Sequence, residues 1–123
     1  SCMDCGYQVP STEVSLDTLP PRCGKCNGPV KPDAVFFGEA IPPDALMRSQ
    51  HEAESCDLML VIGTSAMVYP AASMPDIAHN AGASVVEINT AETPLSGRIS
   101  SYIVKGPSGE VLESLVQQLK SIS

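Results

Sequence analysis

The stretch Leu58-Met59-Leu60-Val61-Ile62-Gly63-Thr64-Ser65 decides the fold class of this 123-residue chain. Five consecutive apolar residues followed by glycine are typical of a β-strand that is covered on both faces, as the strands of parallel sheets are. Parallel strands need crossover connections, which are usually helices. We therefore expect an α/β fold that contains part of a Rossmann-like parallel sheet.

Extended and helical patterns alternate on both sides of this strand. Asp44 can cap the helix before it, and Pro75 implies that the helix after it starts late or is kinked. Ser108 can cap a last helix whose apolar residues fall on one stripe. The expected elements are strands at 34–37, 58–62, 84–88 and 102–104, and helices at 45–56, at 71–80 and from about 108. The stripe comprises Val111, Leu112, Leu115, Val116, Leu119 and Ile122.

Small polar residues follow the predicted strands, where open α/β sheets bind ligands. They are Gly63-Thr64-Ser65, Asn89-Thr90 and Gly106-Pro107-Ser108. Their position indicates a nucleotide site, although the same residue types also serve simply as turn formers. The chain has no G-x-G-x-x-G fingerprint, so we do not expect a diphosphate-gripping loop within it.

Two C-x-x-C pairs lie near the start of the chain. Cys2 and Cys5 form the first pair, Cys23 and Cys26 the second, and seventeen residues (6–22) separate them. This spacing is typical of zinc modules in which two tight turns place four thiolates around one ion. A site with four cysteine ligands has no position left for water, so we expect structural rather than catalytic zinc.

Two other interpretations of these cysteines are weaker. Disulfides need an oxidising compartment, and nothing in the chain resembles a signal peptide. A thioredoxin-type redox site has one C-x-x-C motif rather than two matched pairs. The fifth cysteine, Cys56, is expected to be a small buried apolar residue at the end of a helix.

Composition and charge limit the partners. We expect a zinc-binding module over residues 1–33 and an α/β domain over residues 34–123. The net charge of −7 argues against a nucleic-acid partner, because phosphate contacts require clustered Lys and Arg. No apolar run reaches the roughly 20 residues of a membrane-spanning helix, so we expect no membrane partner.

Several motifs, taken in order, resemble the sirtuins, which are NAD-dependent protein lysine deacylases. After the two C-x-x-C pairs come Val35-Phe36-Phe37-Gly38-Glu39, Val61-Ile62-Gly63-Thr64-Ser65, Val68-Tyr69-Pro70-Ala71-Ala72 and Glu87-Ile88-Asn89. The resemblance covers essentially the whole chain and is strongest to bacterial sirtuins and the mitochondrial-type branch that removes acidic acyl groups. It implies that residues 34–123 are the C-terminal half of a Rossmann-like NAD-binding domain.

The resemblance also assigns roles to individual residues. The four paired cysteines would hold one structural Zn²⁺. NAD would be a co-substrate bound by Gly63, Thr64, Ser65, Asn89, Thr90 and Ser108. An acyl-lysine peptide would lie as an added strand between Phe37, Gly38 and Glu39 on one side and Met67, Val68 and Tyr69 on the other.

In that family the acyl oxygen of the substrate lysine attacks the nicotinamide ribose, nicotinamide leaves, and the acyl group ends on ADP-ribose. A histidine is the general base. The family's phosphate loop and its histidine motif have no counterpart in this chain. His51 and His79 lie in predicted surface positions and match neither motif. We therefore name no catalytic residue and expect a C-terminal fragment that is inactive alone.

A different class of function stays open. The chain could be a catalytically inactive zinc and Rossmann-like module that binds proteins, without NAD affinity. A partial parallel sheet has an unpaired edge, so self-association is also expected. The free cysteines indicate a reducing compartment, the cytoplasm or alternatively the mitochondrial matrix.

Overall fold

The computed structural model describes residues 1–122 of the chain. It consists of two compact units, Ser1–Ile41 and Pro42–Ser123. Each unit has its own small core.

The first unit is a loop-rich module with little regular structure. Two antiparallel backbone bridges join Cys2 to Val30 and Arg22 to Pro29. A short 3₁₀-helix spans Ser11–Glu13. The core is small and consists of Cys2, Cys23 and Val30, with Val9 and Val14 packed against it. So few apolar residues cannot stabilise a fold by themselves, which suits a module that depends on a metal.

The predicted strand at residues 34–37 is wrong. These residues form a turn in which the Glu39 N–H donates to the Phe36 carbonyl at 3.0 Å. The Glu39 carboxylate in turn accepts the Phe36 N–H at 3.1 Å. Because these local bonds occupy the backbone groups of Phe36, the apolar run does not extend into a strand.

The second unit is the α/β fold that the sequence predicts. Its helices are α1 (Pro43–Ser55), α2 (Met74–Asn80) and α3 (Ser108–Ile122), and a 3₁₀-turn at Ala71–Ser73 precedes α2. Its strands are β1 (Leu58–Ile62), β2 (Ser84–Asn89) and β3 (Ser100–Lys105), all parallel and in the order β1-β2-β3. The predicted fold class is confirmed.

Helices α1 and α2 each have a proline in the first turn. Helix α1 begins at Pro43, so Asp44 lies inside its first turn and is not the capping residue that we expected. Proline is well tolerated at the first helical position, because its missing N–H would have no partner there. Pro75 lies in the first turn of α2, so the predicted late start is correct.

One face of the sheet is well covered. Val61, Val85, Leu95 and Ile99 form a buried cluster on it. Helices α1 and α2 pack against each other through a second cluster of small side chains, which partly buries the Cys56 thiol. The buried alanines of that cluster are Ala53, Ala78 and Ala83.

The other face differs from our expectation. We predicted that the strand at 58–62 is covered on both faces, but Leu58, Leu60 and Ile62 are 54%, 41% and 38% exposed. Within residues 1–122, the element lining the groove over this face is α3, and the groove between them has a volume of about 690 Å³. None of the residues described in α3 is buried, so its apolar stripe is only partly covered.

No helix among residues 1–122 is both long and apolar enough to cross a lipid bilayer.

Candidate functional site

The four paired cysteines converge at one point of the first unit. The sulfur atoms of Cys2, Cys5, Cys23 and Cys26 all lie within 4.8 Å of one another. The Cys2 and Cys26 sulfurs are 3.4 Å apart, and those of Cys5 and Cys23 are 3.8 Å apart. A disulfide needs about 2.05 Å, so none of these pairs is bonded.

This arrangement fits one zinc ion. Four sulfurs placed about 2.3 Å from a tetrahedral Zn²⁺ stand about 3.8 Å from one another, close to the separations observed. Backbone N–H groups support the thiolates, since Lys25 donates to the Cys23 sulfur and Gly28 to the Cys26 sulfur, each at 3.4 Å. All four ligand positions are filled by cysteine, so the site suits a structural role.

The thiol pKa values show why the metal matters. The backbone N–H of Cys5 is the main cause that lowers the pKa of Cys2 to about 7. The N–H of Gly28 lowers the pKa of Cys26, but the neighbouring sulfurs of Cys5 and Cys2 outweigh it and raise this pKa to about 12. A bound Zn²⁺ would supply the positive charge that favours the ionised form of the Cys26 thiol.

The carboxyl edge of the sheet brings together the residues predicted to bind NAD. The Asn89 amide, at the end of β2, donates to the Thr64 carbonyl after β1 at 2.6 Å. The Asn89 carbonyl accepts the Gly106 N–H after β3 at 3.1 Å. Asn89 therefore ties the ends of all three strands into one rim.

Gly63 lies on this rim beside the first residue of α3. Its φ of +60° lies in the left-handed region, and a Cβ added there would come within 3.9 Å of the Ser108 Oγ. Gly63, Thr64, Ser65 and Thr90 are all exposed. The edge is thus open, polar and able to approach a ligand closely, and α3 begins there at Ser108.

A buried carboxylate, that of Glu87, lies in β2 two residues before Asn89. The Glu87 side chain is 1% exposed, and its oxygens accept hydrogen bonds from the hydroxyls of Thr93, Ser96 at 2.8 Å and Ser100 at 2.5 Å. Burial raises the pKa of Glu87, but these hydroxyl donors outweigh it and the net pKa is lowered. The carboxylate fixes the loop that follows Asn89.

Reasoning from the sequence missed this network. The available signal was an acidic residue within the predicted strand at 84–88, followed by four hydroxyl residues in the next thirteen positions, of which Thr93, Ser96 and Ser100 bind Glu87. A second contact fixes the same loop from outside, because the Arg98 guanidinium binds the Asp76 carboxylate of α2 in a bidentate pair.

The two segments predicted to hold a peptide lie in different units, and each is exposed. Phe37 is 93% exposed in the turn that ends the first unit. Met67, Val68 and Tyr69 are 63%, 54% and 72% exposed in the loop after β1. Just before them Ala66 has a φ of +53°, an uncommon value for a residue with a side chain and one often found at functional sites. Binding of a peptide by these two segments stays a prediction.

Both histidines lie on helices rather than on the loops that follow the strands. His51 is exposed on α1, and His79 is exposed in the last turn of α2.

The chain is similar to proteins of one family. Residues 1–70 match the model of the Sir2 family. NAD-dependent protein deacylase 1 of Archaeoglobus fulgidus is 45% identical over 100 residues, which are 81% of this chain and 40% of that protein. The NAD-dependent protein deacylase of Pyrococcus furiosus is 39% identical over 127 residues, covering 99% of this chain and 50% of that protein.

Solved structures agree with these relatives. A mutant Sir2 homologue in complex with ADP-ribose superposes with a TM-score of 0.85 at 39% identity, covering 98% of this chain and 48% of that one. Sir2 bound to an acetylated peptide gives 0.83 at 32% identity, covering 99% of this chain and 52% of that one. The chain spans about half the length of the proteins that it matches.

Proposed function

Because this chain belongs to the Sir2 family, the sirtuins, we propose that it is the C-terminal part of an NAD-dependent protein lysine deacylase. The observation that carries the proposal is the polar rim where Asn89 joins the ends of three parallel strands beside Gly63 and Ser108. It lies where open α/β sheets bind nucleotides. The related deacylases and the ADP-ribose complex provide the chemical class of the ligand.

Each residue of the rim would have a different role in binding the nucleotide. Gly63 leaves room for a ribose or phosphate to approach the backbone, since it has no side chain. Thr64, Ser65 and Thr90 offer exposed hydroxyls for a polar ligand. Asn89 holds the rim together through its bond to the Thr64 carbonyl, and Ser108 starts the helix whose N-terminus favours negative charge.

The zinc module would have a structural role. One Zn²⁺ held by Cys2, Cys5, Cys23 and Cys26 would organise residues that have too small an apolar core to fold alone. It takes no part in the reaction, because its four protein ligands exclude substrate and water.

The substrate class would be acyl-lysine in a protein or peptide. The exposed segments Phe37–Glu39 and Met67–Tyr69 are the candidate contacts, and related Sir2 structures hold acetylated and propionylated peptides. The acyl group would be transferred to ADP-ribose with release of nicotinamide. These 123 residues contain no candidate for the histidine base, so we propose that they do not catalyse the reaction by themselves.

The proposal is tested first by binding. We would titrate the zinc-loaded chain with ADP-ribose and follow the amide NMR signals of the three strand ends. We expect shifts at Gly63, Asn89 and Thr90, and about tenfold weaker binding by an Asn89→Ala variant, because a lost bond of this kind costs about 1 kcal/mol or more. Asn80→Ala, which removes an exposed asparagine at the end of α2, is the matched control and should bind normally.

Absence of any ADP-ribose binding would contradict an NAD-binding role and favour a module that binds proteins. Catalysis is tested separately by fusing the chain behind the N-terminal half of the Archaeoglobus fulgidus relative. We expect nicotinamide release from NAD and an acetyl-lysine peptide with the fusion and none with the chain alone. Release by the 123 residues alone would show that they contain a base that we have not identified.

A further inference from the structure

The Lys31 side chain of the zinc module contacts four residues of the loop that follows it. Its ammonium group donates to the Ala34 carbonyl at 2.9 Å, to the Glu39 carboxylate at 3.1 Å and to the Pro32 carbonyl at 3.5 Å. It also lies 4.9 Å from the centre of the Phe36 ring. A lysine ammonium has three N–H donors. All three acceptors belong to the loop that follows Lys31.

The Glu39 oxygen bound by Lys31 also closes the turn. The same Oε2 atom accepts the Phe36 N–H at 3.1 Å, and the Glu39 N–H donates to the Phe36 carbonyl at 3.0 Å. Lys31 therefore orients the carboxylate that pairs with the turn. Between the two ends of this turn lie Phe37, which is 93% exposed, and Gly38 with a φ of +86°.

The backbone of Lys31 is anchored in the zinc module. Its N–H donates to the Ser1 carbonyl at 2.9 Å, next to the bridge between Cys2 and Val30. One residue thus joins the backbone beside a zinc ligand to a turn several residues downstream. The Lys31 side chain is 30% exposed and the Glu39 side chain 39% exposed, so solvent partly screens the ion pair.

We propose that Lys31 is a positioning residue for peptide binding, which holds Phe37, Gly38 and Glu39 in the turn that presents them to an acyl-lysine peptide. The inference rests on the proposed function, because there these three residues are candidate contacts for the peptide. Partly exposed ion pairs add little to global stability. We therefore expect Lys31 to keep the turn ordered and to contribute little to the overall folding stability.

The first test measures the turn itself. In the zinc-loaded chain we would compare amide hydrogen exchange at Phe36 and Glu39 between wild type, Lys31→Met and Lys31→Arg. Methionine keeps the length of the side chain without its charge, and arginine keeps the charge. We expect about tenfold faster exchange with Met and partial rescue with Arg. Lys105→Met, which breaks an exposed 2.9 Å pair with Glu92 in the other unit, should change neither amide. Unchanged exchange with Met would overturn the proposal.

The second test measures binding of an acetyl-lysine peptide to the same variants. We expect about tenfold weaker affinity for Lys31→Met, partial rescue by Lys31→Arg and no change for Lys105→Met. A wild-type chain that binds the peptide while Lys31→Met binds it equally well overturns the positioning role and leaves the proposed function intact. A wild-type chain that binds no peptide counts against the proposed substrate and overturns the inference with it.

Discussion

At the level of single residues, Glu87 is a buried carboxylate of the second unit. A carboxylate that is 1% exposed would be costly, but three hydroxyl groups satisfy it. The same bonds hold the loop behind Asn89. Glu87, which belongs to a quoted motif but was given no role from the sequence, thus supports the predicted nucleotide site from within the core.

Glu87→Gln should destabilise the fold by about 1–2 kcal/mol at pH 7, because the amide cannot accept all three hydroxyl bonds. Urea unfolding measures the change, and Glu92→Gln, at an exposed position, is the control. The pKa of Glu87 is lowered in the folded state. Its contribution is therefore complete above the unfolded value of about 4.3 and is lost as pH falls through the folded-state pKa.

We accordingly expect the stability difference between wild type and Glu87→Gln to shrink when unfolding is repeated below about pH 4. A difference that is as large at pH 3 as at pH 7 would show that the charge of Glu87 is not what stabilises the loop.

Gly63→Ala should cost about 1–2 kcal/mol, since its φ of +60° is unfavourable for a residue with a side chain. The matched control is Gly109→Ala in α3, where an added Cβ meets no atom within 4 Å and φ is not positive. This control should stabilise the chain by up to about 1 kcal/mol, because alanine favours helix more than glycine does. Thermal unfolding of both variants measures the contrast, and equal effects would argue against the left-handed conformation at Gly63.

At the level of secondary-structure elements, the zinc module and the α/β unit have different sources of stability. The module buries Cys2, Cys23 and Val30 and little else, whereas the α/β unit has two apolar clusters of its own. Metal removal should therefore affect the two units unequally.

Chelation of zinc, or Cys5→Ser, should unfold residues 1–41 and leave the three-stranded sheet intact. The NMR signals of residues 1–41 would collapse to unfolded positions, while those of β1 and β2 persist. Cys56→Ser is the control, because this thiol lies outside the four-cysteine cluster. Loss of the β1 and β2 signals together with those of the module would show that the two units unfold as one.

At the level of the whole chain, the partly exposed face of the sheet at β1 is the surface most prone to association. Leu58, Leu60 and Ile62 of β1 are substantially exposed beside the groove under α3. Contiguous apolar surface of this kind promotes association, and the described residues add no strand beyond the outer edge of β1.

The 123-residue chain should therefore self-associate at micromolar concentrations, and Leu60→Lys should weaken this association about tenfold or more by placing a charge on the face. Sedimentation velocity measures both. Leu16→Lys changes a leucine that is 69% exposed in the other unit and should have no effect. A wild-type chain that is monomeric at all concentrations would show that the exposed apolar face of β1 does not drive self-association.

The sequence by itself predicted the four-cysteine cluster, the order of strands and helices from residue 43 onward, and the family. Cysteine spacing and apolar periodicity are local properties, and a tetrahedral metal or a parallel strand leaves a direct pattern in them. The tertiary structure decided what depends on distant neighbours. In the folded chain three hydroxyl groups donate hydrogen bonds to Glu87. Contacts of Lys31 and Glu39 make residues 34–39 a turn instead of a strand. Leu58, Leu60 and Ile62 remain substantially exposed. An apolar run shows that burial is favourable, but only the packed neighbours determine which of its faces is covered.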